Sequence, residues 1–144
     1  MIISIKTTSN KFIGAVRIML GIMFLMPGMM KLVLPDYAEA WSIQLVEANI
    51  PLYTFTYWFV PFLEVILGLF LIIGYYSRLS ALVTLPIMLV AIYVHLTVTH
   101  PGAFPSQPQA PYMPIMVIMM ALVIIIKGGG AWSLNLKSSR IKSI

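Results

Sequence analysis

Cysteine is absent from this chain, which excludes disulfides, thiolate metal sites and thiol–disulfide relays. Acidic residues are almost as scarce. Asp36, Glu39, Glu47 and Glu64 are the only four in 144 residues, and charged residues of both signs make up 9%. A soluble globule of this size needs far more polar side chain to cover its surface. Only two histidines occur, His95 and His100, too few for a bis-His haem or for a zinc or iron site with a single carboxylate. We therefore expect no bound metal.

What the chain has instead is apolar length. Hydrophobic residues are 60% of the sequence and the mean hydropathy is +0.98, the composition of an integral membrane protein. The net charge of +5 does not imply nucleic acid, because the basic residues fall at helix ends and tails. Four spans are expected, at about 12–34, 56–75, 79–99 and 112–126, the last short for a bilayer crossing of roughly 20 residues. The first is too long for a signal core and ends in Lys31-Leu-Val-Leu-Pro35, with no small-x-small cleavage site. Between the first two spans, Tyr37, Trp41, Leu45 and Ala48 recur at helical spacing beside Asp36, Glu39, Gln44 and Glu47, which predicts an interfacial amphipathic helix. His100 to Pro111 holds four prolines in twelve residues and reads as an extended loop. With no repeat and no second domain, the fold class is an all-α integral membrane four-helix bundle, one domain over 1–144.

Charge sets the expected topology. Lys6, Lys11, Arg78, Lys127, Lys137, Arg140 and Lys142 fall on the side of the termini. The positive-inside rule then places both termini in the cytoplasm, and the bacterial cytoplasmic (inner) membrane is the expected location.

Helical stepping of about 100° per residue sorts the faces. Gly14, Arg17, Gly21, Gly28 and Lys31 share one face of the first span, with glycines every seven residues as in a close-packed seam. Tyr57, Pro61, Glu64, Gly68, Leu71 and Tyr75 share one face of the second. Ala81, Thr84, Met88, Ala91, His95 and Thr99 share one face of the third. A carboxylate within a span is costly and demands a partner or a wet cavity. Depth along the helices groups Lys31, Glu64 and His95 in the outer half of the bundle. Two readings follow: a neutralised Lys31–Glu64 pair that fixes register, or an outward-facing pocket for a quinone head group or small polar ligand, with His95 and Glu64 exchanging protons. Arg17, nearer the cytoplasmic end, is expected to snorkel to lipid phosphates, so Glu64→Gln should do more harm than Arg17→Lys. Met19, Met23, Met26 and Met30, with Met113, Met116, Met119 and Met120, are read as lipid-facing or packing residues before soft ligands for Cu(I).

The segments 17–32 (RIMLGIMFLMPGMMKL), 61–74 (PFLEVILGLFLIIG), 76–81 (YSRLSA) and 128–135 (GGGAWSLN) together resemble the DoxX family of small four-helix bacterial membrane proteins. By position, that resemblance assigns motif roles to Arg17, Gly21, Gly28, Lys31, Pro61, Glu64, Gly68, Ser133 and Asn135, where Asn135 stands in place of the usual Asp. It implies a membrane subunit or partner of a redox system, associated with quinone or quinol, and lipid, a redox protein or a second copy as partners. It does not imply catalysis. The alternative is a small transporter or carrier acting as an oligomer.

Overall fold

The computed structural model describes residues 9–98 and 111–134. Five helices follow in order: α1 (Lys11–Val33), α2 (Pro35–Glu47), α3 (Tyr53–Ile73), α4 (Ser77–Thr97) and α5 (Tyr112–Lys127). No strand occurs among the described residues. Three of the helices, α1, α3 and α4, are long and apolar enough to cross a membrane, and α5 is a shorter apolar helix of 16 residues. The ends of α1, α3, α4 and α5 lie within three residues of the apolar segments expected from hydropathy. Most of the expected Pro-rich loop, with His100, lies outside the described residues, as do Asn135 and the basic tail.

Local chemistry explains the helix ends. Asn10 caps α1 through its side-chain oxygen, which accepts from the Phe12 N–H at 2.7 Å. Pro35 opens α2, where its missing N–H costs nothing. Gly74 closes α3 at φ 73°, a left-handed conformation that glycine adopts without a Cβ clash. Tyr76 at φ 45° then turns the chain into α4.

Helix pairing departs from chain order. α1 packs mainly on α3, and α4 mainly on α5. Small residues let α1 and α3 approach: a Cβ built on Gly21 would lie 2.8 Å from the Gly68 carbonyl oxygen, and one on Gly68 would lie 2.7 Å from the Leu25 nitrogen. Of the glycines at seven-residue spacing, Gly21 and Gly28 abut α3, whereas Gly14 abuts Ala131. Leu20, Phe24, Leu67, Leu71, Ala81, Val117, Ala121 and Ile124 form the core between the two pairs. Large apolar side chains such as Phe62, Ile66, Leu69, Leu89 and Met119 face outward, which suits a hydrocarbon surround.

The methionines divide between the two roles expected of them. In α1, Met19, Met26 and Met29 are exposed and Met23 packs inward against the core, as does Met120 in α5.

Candidate functional site

Two polar clusters break the apolar interior, one near each end of the α1–α3 pair. At the end away from the termini, Lys31 in the last turn of α1 meets Glu64 in the middle of α3. The Lys31 Nζ donates to both carboxylate oxygens at 2.9 Å, and the two side chains are only 10% and 8% exposed. Gly28, one turn before Lys31, sets this approach. A Cβ there would lie 3.0 Å from both Glu64 Cβ and the Pro61 carbonyl oxygen.

Helix α2 closes the cluster from outside. Trp41, Leu45 and Ala48, three of the apolar positions at helical spacing, are buried, together with Ala40 and Gln44. The Trp41 ring centroid lies 4.4 Å from Lys31 Nζ, a cation–π contact. Its indole N–H donates to the Tyr57 carbonyl at 3.2 Å. That carbonyl is the one Pro61 cannot serve, because proline has no N–H for the residue four positions back. Pro61 therefore creates the acceptor that anchors Trp41 over the ion pair.

His95 does not join Lys31 and Glu64 through a hydrogen bond. It is half-buried near the end of α4, and its Nδ1 is 2.8 Å from the Ala91 carbonyl of its own helix. Its face is only partly correct: Ala81 and Thr84 are fully buried, while Met88, Ala91 and His95 are half-buried. Proton exchange between His95 and Glu64 thus has no direct path in this geometry.

At the end that carries the termini, Arg17 overturns the snorkelling expectation. It is fully buried. Its Nη1 donates to the carbonyls of Leu71 at 2.6 Å and Ile72 at 3.0 Å, and its Nη2 to Ala131 at 3.2 Å. The first two acceptors belong to the C-terminal turn of α3, where the carbonyls lack helical donors and the helix dipole is negative. Arg17 is held by that turn and by the glycine-rich segment after α5, so no side chain is left to reach lipid. Gly130, at φ 69°, brings this segment against the backbone of Ile13 and Gly14, and the Ala131 N–H donates to the Asn10 carbonyl at 3.0 Å.

Sequence reasoning singled out Ser133 but missed its neighbours here. Ser77, Arg78 and Ser80 are buried with Ser133 around the same junction. Their positions in a turn and a glycine-rich tail gave no periodic signal, and only the return of residues 128–133 onto α1 encloses them.

A family model described as DoxX matches residues 12–100. The chain belongs to the DoxX family. Arg17, Gly21, Gly28, Lys31, Pro61, Glu64, Gly68 and His95 all lie within the matched DoxX region, and Ser133 lies beyond it. Searches of curated proteins and of solved structures find no match. Among the described residues, no three of His, Cys, Asp and Glu come together as a metal-ligand group.

Proposed function

We propose that this DoxX membrane protein is a non-catalytic subunit of a quinone-linked redox system in the bacterial cytoplasmic membrane. In this reading α1, α3, α4 and α5 form a four-span bundle with both termini cytoplasmic, and α2 lies at the outer interface. The observation that carries it is the closure of the Lys31–Glu64 pair. The lysine spans both carboxylate oxygens under the Trp41 ring, and His95 bonds to its own helix instead. A bridged, covered pair fixes helix register. A catalytic acid or base must reach its substrate's proton, and this geometry keeps Glu64 engaged.

The quinone association comes from the family resemblance, and the charge bias of the sequence supports the orientation. The exposed residues of α1 and α5, including Met19, Met26, Met113, Met116 and Met119, form the surface for a redox protein or a second copy. Gentle purification from the native membrane, followed by mass spectrometry of co-purifying proteins and extracted quinone, tests the reading. A stoichiometric redox partner is expected. Quinone held by the isolated protein and lost in Glu64→Gln would overturn it in favour of a quinone-binding site at the pair.

A further inference from the structure

Among the described residues, four other than glycine hold left-handed backbone: Asn49, Leu52, Tyr76 and Trp132. Asparagine tolerates that region, but a large side chain there is strained. Such strain persists only where the surrounding structure imposes it. At Trp132, φ 57°, the neighbours impose it. Ala131 and Ser133 are buried on either side, and Ala131 is held by Arg17 through its carbonyl and by Asn10 through its N–H. With both neighbours turned inward, the indole between them is turned outward. It stays 63% exposed, although a Cβ built on Gly14 would come within 3.1 Å of its Cε3. Tyr76 repeats the pattern at φ 45°, beside the buried Ser77, with its ring 37% exposed and edge-on to Tyr75.

The fold thus holds strained backbone at two places where the ring is left outside, and exposing those rings to water would add a second cost. The compensating gain lies outside the chain, and the distribution of rings says what supplies it. Phe12 at the start of α1, Tyr75 and Tyr76 in the α3–α4 turn and Trp132 after α5 are all exposed. They come from three separate places at the end that carries the termini. A protein docked on one side would not meet all of them, whereas a bilayer surface meets every side. Lys11 and Lys127, exposed at the same end, suit the lipid phosphates beside such a belt.

We propose that Trp132, with Tyr76 as its counterpart across the bundle end, anchors the protein in the membrane interface, its ring lying where lipid head groups meet acyl chains. Tryptophan and tyrosine suit that boundary because each joins an apolar body to a polar tip. The anchor also fixes the depth of residues 128–133, the segment whose Ala131 carbonyl meets Arg17. The proposal needs only that the chain sits in a bilayer and does not rest on the redox-subunit reading.

The test is fluorine NMR of the full chain, labelled with fluorotryptophan and reconstituted in phosphatidylcholine nanodiscs. Trp41, Trp58 and Trp132 are its only tryptophans. Trp132→Asn, which suits the left-handed backbone, assigns the Trp132 resonance by its loss. If that variant does not fold, Trp41→Phe and Trp58→Phe assign it by elimination. A lipid with a nitroxide high on its acyl chain should erase the Trp132 resonance, as it should that of the exposed Trp58 on α3. A water-soluble gadolinium chelate should leave most of the Trp132 signal, and the buried Trp41 should respond least to either label. A loss with the chelate equal to or greater than the loss with the lipid label overturns the proposal, because the ring then faces water. No loss with either label overturns it too, since a second copy or another protein would then cover the ring.

Discussion

Trp41 donates its indole N–H to the Tyr57 carbonyl, an acceptor that exists because Pro61 sits four residues later in α3. A proline within the helix and a tryptophan outside it are thereby one device. Trp41→Phe, which keeps a ring over Lys31 but loses the donor, should cost about 1 kcal/mol. In a Pro61→Ala background the residue 61 N–H can serve Tyr57 itself, and the same Trp41→Phe change should cost much less. A double-mutant cycle of detergent melting measures this coupling; additive effects would show that the indole bond is incidental.

The ion pair makes an asymmetric prediction. Glu64→Gln leaves the Lys31 charge buried without its counter-ion and should destabilise by roughly 3 kcal/mol. Replacing both residues together, as Lys31→Met with Glu64→Leu, should recover most of that loss, because the pair's desolvation penalty disappears with it. The melting temperatures of the single and double variants decide. A double variant as unstable as the single one would mean that the charges serve something other than mutual neutralisation.

Arg17→Lys should be at least as harmful as Glu64→Gln, the reverse of what a snorkelling arginine would give. A lysine has no planar fork to reach the carbonyls of Leu71, Ile72 and Ala131 at once. About 3 kcal/mol is expected for the loss of a buried charge-assisted network. Limited proteolysis after residue 127 should also accelerate in Arg17→Lys, since the Ala131 contact holds that segment; unchanged proteolysis would contradict this role.

Gly68→Ala should destabilise by roughly 2 kcal/mol, since its added carbon meets the backbone of Leu25 and Gly21 at 2.7–2.9 Å. A methyl group cannot be accommodated there by a side-chain rotation, only by moving α1 away from α3. Detergent melting of Gly68→Ala beside Ala38→Gly, a change on the separate helix α2, distinguishes a seam effect from general sensitivity to small-residue changes.

Much of this was legible in the residues. Helix positions followed from hydropathy, a close-packed glycine face from Gly14, Gly21 and Gly28, of which Gly21 and Gly28 abut α3, and the Lys31–Glu64 pair was one of two readings of the cluster. The spacing of Trp41 with Leu45 and Ala48 gave an apolar face of α2, but not that Trp41 covers Lys31. Arg17 was misread because its partners are backbone carbonyls, which every sequence has and none displays. Ser77 and Arg78 were hidden for a related reason. Their burial depends on residues 128–133 folding back across a distance of some fifty positions, and no local pattern encodes that return. His95 was grouped with the pair by expected depth, but its ring bonds to Ala91, and helical periodicity alone does not report where an imidazole turns.

Because α1 pairs with α3 across the intervening α2, the order of synthesis matters to the fate of Glu64. Chains emerge from the N-terminus onward, so Lys31 reaches the membrane 33 residues ahead of its partner. Near the end of its helix, it can lift its ammonium toward the head groups while it waits. Glu64, in the middle of α3, has no such refuge. The lysine is thus in place as a receptor when the carboxylate arrives, and α3 enters the bilayer with its costliest residue already matched.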